Sequence, residues 1–162
     1  VYKVFGVTTI FDEKAIILKK GSEAVPNNLS LDLANTPDIA QTIAVTCLGL
    51  GVGCHLRGLH TLPIKETDRL AAMKTELEKI GGHVEITSES LRLLPKAKPQ
   101  TDVTIDTYND HRMAMAFAPL ALKTSIVIND AEVVSKSYPD FWKDMTKIGL
   151  KVTVFSGDQQ EV

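Results

Sequence analysis

A chain of 162 residues, 44% hydrophobic and 23% charged, has enough apolar side chain to bury a core as one domain or two small subdomains. Eighteen Lys and Arg against 20 Asp and Glu leave a formal charge of -2, which excludes a global positive field for nucleic acid or an anionic membrane, so any anion site must be local. No stretch approaches the ~20 apolar residues of a membrane-crossing helix and no secretory signal opens the chain, so a cytoplasmic protein is expected.

The opening Val1-Tyr2-Lys3-Val4-Phe5-Gly6-Val7 lacks a clear beginning and reads as cut from something longer. Phe5-Gly6-Val7-Thr8-Thr9 and Ala15-Ile16-Ile17-Leu18 then form the closing hairpin of a unit whose front is missing, so residues 1–28 are assigned to the tail of a preceding unit. Two fuller copies follow, at 29–95 and 96–155, before a polar tail at 156–162. The first copy runs from Leu31-Asp32-Leu33-Ala34-Asn35 through a helix starting near Thr36-Pro37, the strand around Leu56-Arg57-Gly58-Leu59, and an amphipathic helix from Lys65 to Ile80-Gly81. In that second helix Leu70, Met73, Leu77 and Ile80 form the apolar stripe, with Glu76, Glu78 and Lys79 off it, and Gly81-Gly82 end it. His83–Ile86 and Leu91–Leu94 read as a hairpin. The second copy answers with Ile105-Asp106-Thr107-Tyr108-Asn109, a helix over 110–122 whose core stripe is Met113, Met115, Phe117, Ala118 and Leu122, the strand Ile126-Val127-Ile128, and a helix after Lys136. The expected fold class is therefore α/β (α+β), built of repeated β-α-β-α-β-β units.

Cys47 and Cys54 lie outside any CxxC pair, and Cys54, His55 and His60 fit no zinc spacing, so neither a disulfide nor a metal is expected. Gly49, Gly51 and Gly53 follow a helix and read as its stop, not as a dinucleotide fingerprint.

The chemistry-bearing residues fall at the helix starts: Asp38 at the first, Asp110-His111-Arg112 at the second, Lys65-Glu66-Thr67-Asp68-Arg69 at the third and Ser135-Lys136-Ser137 at the fourth, with Asn109 a candidate cap. Cations near helix N-termini oppose the helix dipole, and rules broken locally point to function. Lys65, Glu66 and Arg69 share one face if the helix opens at Lys65. A lone exposed Lys or Arg is ordinarily a solvated surface charge; the repeated placement is what argues otherwise. Together these side chains and amide donors suit a small, highly negative ligand.

Ile64-Lys65-Glu66-Thr67-Asp68-Arg69-Leu70 and Tyr108-Asn109-Asp110-His111-Arg112-Met113-Ala114-Met115-Ala116-Phe117-Ala118 resemble signatures of the 5-enolpyruvylshikimate-3-phosphate synthases. Pro37-Asp38 upstream and Lys136-Ser137-Tyr138-Pro139-Asp140-Phe141 downstream keep the family's order. The enolpyruvyl transferase that acts on UDP-N-acetylglucosamine is a weaker match, lacking the Lys-Glu-Thr-Asp-Arg string. The resemblance implies a C-terminal part of an enzyme that moves the enolpyruvyl group of phosphoenolpyruvate to the 5-hydroxyl of shikimate 3-phosphate, with no metal or organic cofactor. It implies Asp38 as proton acceptor and Glu66 as the group exchanging a proton with the methylene carbon. Asp38 and Lys65 would hold shikimate 3-phosphate, Arg69, Arg112 and Lys136 would hold phosphoenolpyruvate, and His111 would support that wall. Thr61 stands where the family often has asparagine. The remaining contacts would come from an absent N-terminal domain, so the isolated chain is expected to be inactive. The competing class is a non-catalytic module binding RNA or protein through its sheet; near-neutral charge and few aromatics argue against RNA.

Overall fold

The structure is a computed structural model and describes residues 1–22, 24–65 and 67–155. A 3-10 turn at Tyr2–Phe5 seats Phe5 in the core and ties Tyr2 Oη to Thr46 Oγ1 at 3.0 Å. The antiparallel hairpin of β1 (Val7–Asp12) and β2 (Ala15–Lys20) follows, with Val7 facing Lys20.

The first full copy is a four-stranded sheet in the order β3 (Asn28–Asp32), β4 (Gly53–Arg57), β6 (Ser90–Leu93), β5 (Val84–Ile86). β3 and β4 are parallel, and a parallel pair needs a crossover. That crossover is a 3-10 turn, Pro37–Ile39, leading into α1 (Ala40–Leu50). Apolar on most of its circumference, α1 is buried between the sheet and the second copy, with Ala40, Ile43, Ala44, Val45, Cys47 and Leu48 at most 2% exposed. Gly51, at φ +70°, stops it as the glycine pattern predicts. On β4 the period of two sends Cys54 and Leu56 inward and His55 and Arg57 out. Cys47 and Cys54 are free and buried; their mutual hydrogen bond pushes the Cys47 thiol up and the Cys54 thiol down.

α2 (Arg69–Lys79) covers the same core with Leu70, Met73 and Leu77, and Ile80 at its end completes the predicted stripe. Of the two alternatives, Lys65 preceding or opening the helix, the structure has the first, because Asp68 accepts hydrogen bonds from the backbone N–H groups of Leu70 and Ala71 and so caps it. Lys65 stands outside the helix in extended conformation, after a 3-10 turn at Leu62–Ile64. Glu76, expected off the stripe, is fully buried.

The second copy is smaller: β7 (Val103–Ile105) and β8 (Ile126–Ile128) pair in parallel across α3 (His111–Phe117). Asn109 is not the cap: it sits at φ +56°, and Asp110 takes the position by accepting from the Arg112 N–H. Pro119 cannot continue the α-helix, so a 3-10 turn, Ala118–Leu122, replaces the predicted last turn and rotates Leu122 out to 70% exposure. A second core cluster of Ala114, Ala118, Val134 and Phe141 joins α3 to α4 (Phe141–Lys147). Lys136 ends a 3-10 turn, Ala131–Lys136, and Pro139 delays α4 to Phe141, so Lys136 does not open that helix. The polar tail proposed at 156–162 lies outside the described residues.

Candidate active site

Four sequence-selected residues meet at the end of α2 nearest its N-terminus, drawn together through one carboxylate. Asp38, in the 3-10 turn before α1, accepts from Arg69 Nη1 at 2.9 Å through Oδ1, and Lys65 Nζ lies 3.6 Å from the same oxygen. Arg112 reaches Asp38 from the other copy, with Nη2 3.5 Å from Oδ2 and Nη1 donating to the Asp38 backbone carbonyl at 3.3 Å. The helix starts therefore converge through side chains, not through a shared ring of amide donors.

Beneath them lies Asp110, which the sequence marks at a helix start without giving it a role. Fully buried, it accepts from Arg69 Nε at 2.6 Å and Nη2 at 3.3 Å, and from the Arg112 N–H at 2.9 Å. Arg69 is only 1% exposed, so its charge needs such a partner: breaking a buried pair strands a charge in a poorly solvated place. His111 Nδ1 is 3.9 Å from Asp110 Oδ1, which puts His111 against the same wall. Asp110's position just before two selected residues was a signal, since a capping carboxylate can also carry an ion pair.

Lys136 is exposed, and no hydrogen bond or ion pair among the described residues joins it to this cluster. Glu66 lies outside the described residues. Thr61 Oγ1 is buried without a hydrogen-bond partner among the described residues.

A loop fixes Asp38 from behind. Gly58 leaves β4 at φ +74°, and a Cβ there would sit 2.5 Å from the Ala34 nitrogen, so only glycine lets β4's exit pass the segment that leads to Asp38. Lys65, Asp38 and Arg112 each keep more than a third of their side chains exposed, while Arg69 and Asp110 are sealed below. The outer cations and Asp38 are thus reachable by a solute, and Arg69 borders the same place through its Nη1 on Asp38. Among the described residues no three His, Cys, Asp or Glu side chains gather to hold a metal, and no helix is long and apolar enough to cross a membrane.

Repeated β-α-β-α units meeting at a cationic cluster give this chain the enolpyruvyl transferase fold. It superposes over 93% of its length on EPSP synthase from Acinetobacter baumannii, with a TM-score of 0.78 at 24% identity, covering 37% of that chain. The enolpyruvyl transferase NikO from Streptomyces tendae follows at a TM-score of 0.66 and 13% identity, covering 93% of this chain and 34% of that one. The chain belongs to the EPSP synthase (3-phosphoshikimate 1-carboxyvinyltransferase) family, whose match spans residues 5–145. A 3-phosphoshikimate 1-carboxyvinyltransferase of Bacteroides fragilis is 43% identical over 157 residues, 95% of this chain. One of Shewanella piezotolerans is 45% identical over 127 residues, 78% of the chain. The chain spans only 38% of the first relative's length and 29% of the second's.

Proposed function

We propose that the chain is the C-terminal part of an enzyme that transfers the enolpyruvyl group of phosphoenolpyruvate to the 5-hydroxyl of shikimate 3-phosphate, in the cytoplasm, using no metal or organic cofactor. The convergence of Lys65, Arg69 and Arg112 on Asp38 is the observation that carries this reading. In it, residues 1–28 are the tail of one unit, 29–95 and 96–155 the next two, and an N-terminal domain of the same polypeptide supplies the other wall.

The chemistry follows from charge and reach. The acceptor hydroxyl adds to C2 of phosphoenolpyruvate while C3 gains a proton; phosphate then leaves and C3 gives the proton up. Asp38 takes the hydroxyl proton and Glu66 exchanges the proton at C3. Arg69, Arg112 and Lys136 hold phosphoenolpyruvate, Lys65 and Asp38 hold shikimate 3-phosphate, and His111 supports the wall beside Asp110. An arriving phosphate or carboxylate competes with Asp38 for the N–H donors of Arg112 and Lys65. Ligand binding thereby releases Asp38's oxygens for the hydroxyl, and fork-shaped guanidinium groups suit the exchange. Half a cleft neither orients two substrates nor excludes water, so the isolated chain is expected not to turn over.

The test is phosphate release by the full-length polypeptide containing this chain, supplied with both substrates. Wild-type turnover is expected, and in Arg112→Ala the KM for phosphoenolpyruvate should rise roughly 10- to 100-fold, the scale of a lost charge-assisted hydrogen bond. Wild-type protein that releases no phosphate, or an unchanged KM in the variant, refutes the reading.

A further inference from the structure

α2 grips the second copy twice. Arg69, its first residue, holds the end of the β7–α3 turn through Asp110. Glu76, seven residues on and so two turns along the same face, holds the beginning: its Oε2 accepts from the Asp106 N–H at 3.2 Å and its Oε1 from Tyr108 Oη at 2.6 Å. Lys79 Nζ lies 2.9 Å from Glu76 Oε1 and donates to Asp106 Oδ2 at 2.7 Å, while Asn129 Nδ2 donates to Asp106 Oδ1 at 2.8 Å. Every oxygen of this buried carboxylate is used.

Between the two grips the backbone is strained. Tyr108 and Asn109 both have positive φ, +53° and +56°. Asparagine tolerates that region; a bulky aromatic residue adopts it only where its surroundings over-determine it. Here the surroundings are the hydroxyl bond to Glu76, and the strained pair is followed at once by Asp110, α3 and Arg112. The direction in which Arg112 leaves the chain thus depends on both ends of the turn, the Asp110 carboxylate on Arg69 and the Tyr108 hydroxyl on Glu76.

Resting on the transferase reading, we propose that Tyr108 and Glu76 are positioning residues for Arg112: their hydrogen bond holds the left-handed turn that aims the Arg112 guanidinium at the phosphoenolpyruvate subsite. Neither touches the reacting atoms. Loosening the turn moves the first turn of α3, and Arg112 then meets its anion at a wrong angle.

Steady-state kinetics of the full-length polypeptide containing this chain test the idea. Tyr108→Phe removes only the hydroxyl and should raise the KM for phosphoenolpyruvate about 10-fold with kcat within about 2-fold, since a misplaced binding group of this kind costs one to two orders of magnitude. The KM for shikimate 3-phosphate should not move. Tyr108→Gly accepts positive φ without strain, so it should unfold within a few degrees of wild type while showing the same KM rise. In Arg112→Ala, adding Tyr108→Phe should change the KM no further, because the tether acts through a side chain already gone. Lower thermal stability with an unchanged KM in Tyr108→Phe, or full additivity with Arg112→Ala, overturns the proposal. A wild-type enzyme without turnover would instead fault the transferase reading. Calorimetric binding of phosphoenolpyruvate to wild type and Tyr108→Phe then decides the positioning claim, with equal affinities refuting it.

Discussion

Two polar clusters hang on α2, one at each end, and they differ in how far they are open to solvent. Around Asp38, among the described residues, Lys65, Arg69 and Arg112 face the carboxylates of Asp38 and Asp110, and the outer members are open to solvent. Around Glu76, one cation, Lys79, faces two carboxylates, Glu76 and Asp106, and neutral donors satisfy the rest. A cluster closed on itself by neutral donors has nothing left to offer a ligand. The open one keeps solvent-exposed cations and an exchangeable carboxylate, which is how a binding site would differ from a structural knot made of the same residue types.

The largest effect should come from the buried floor of the open cluster. Asp110→Ala takes two buried hydrogen-bond acceptors from Arg69, 1% exposed, and uncaps α3, and should cost about 3–5 kcal/mol of folding free energy, read as a lower midpoint in urea. Glu76→Ala comes next: it leaves the Tyr108 hydroxyl and the Asp106 N–H unpaired and should cost about 2–3 kcal/mol. If Glu76→Ala costs more than Asp110→Ala, the assignment of floor and knot is reversed.

The repeat and the apolar stripes were legible because burial imposes a period: Leu70, Met73, Leu77 and Ile80 sit inside as their spacing predicts. What misled was polarity. Glu76 looks like a solvated charge, yet Arg69, Met73, Glu76 and Ile80 follow helical spacing, and a charge on that line signals a buried partner. Helix starts shifted wherever a local competitor intervened: the Asp68 carboxylate before α2, the left-handed Asn109 before α3, and Pro139 before α4. Such competition depends on side-chain hydrogen bonds that periodicity does not record. Lys65, Arg69 and Arg112 stood out because cations placed against the helix dipole are visible in one dimension, while Asp38 was marked only by its place at a helix start. The tether of Tyr108 to Glu76 joins residues 32 apart and becomes visible only in the folded chain.

Titration separates the clusters more gently. The Tyr108 hydroxyl is pushed up to about 12 by burial and by its hydrogen bond to Glu76, and Lys79 is raised because its bonds to Asp106 and Glu76 outweigh its burial. Both shifts are upward, so their stabilisation is complete below pH 10 and is lost as pH climbs, for Tyr108 toward about 12 and for Lys79 above its ordinary range. Asp106 is held below 3.8 by Lys79 and Asn129, and its contribution disappears only as pH falls beneath that value. Urea midpoints followed between pH 8 and pH 12 should fall in wild type and fall less in Tyr108→Phe, which has no hydroxyl to ionise. Identical alkaline profiles would remove Tyr108 from the knot.

The smallest effect on stability should belong to a residue proposed to grip the ligand. Arg112 meets Asp38 at 3.5 Å with both side chains 38% exposed, and Asp38 keeps Arg69 and Lys65 when Arg112 is gone. Exposed pairs of this kind contribute up to about 1 kcal/mol, so Arg112→Ala should leave the urea midpoint close to wild type. The same substitution should also relieve any competition for Asp38 while abolishing a grip on the incoming anion, a dissociation of stability from affinity that Asp110→Ala cannot show. If Arg112→Ala destabilises as much as Asp110→Ala, the guanidinium is part of the floor, and its exposed charge serves folding instead of binding.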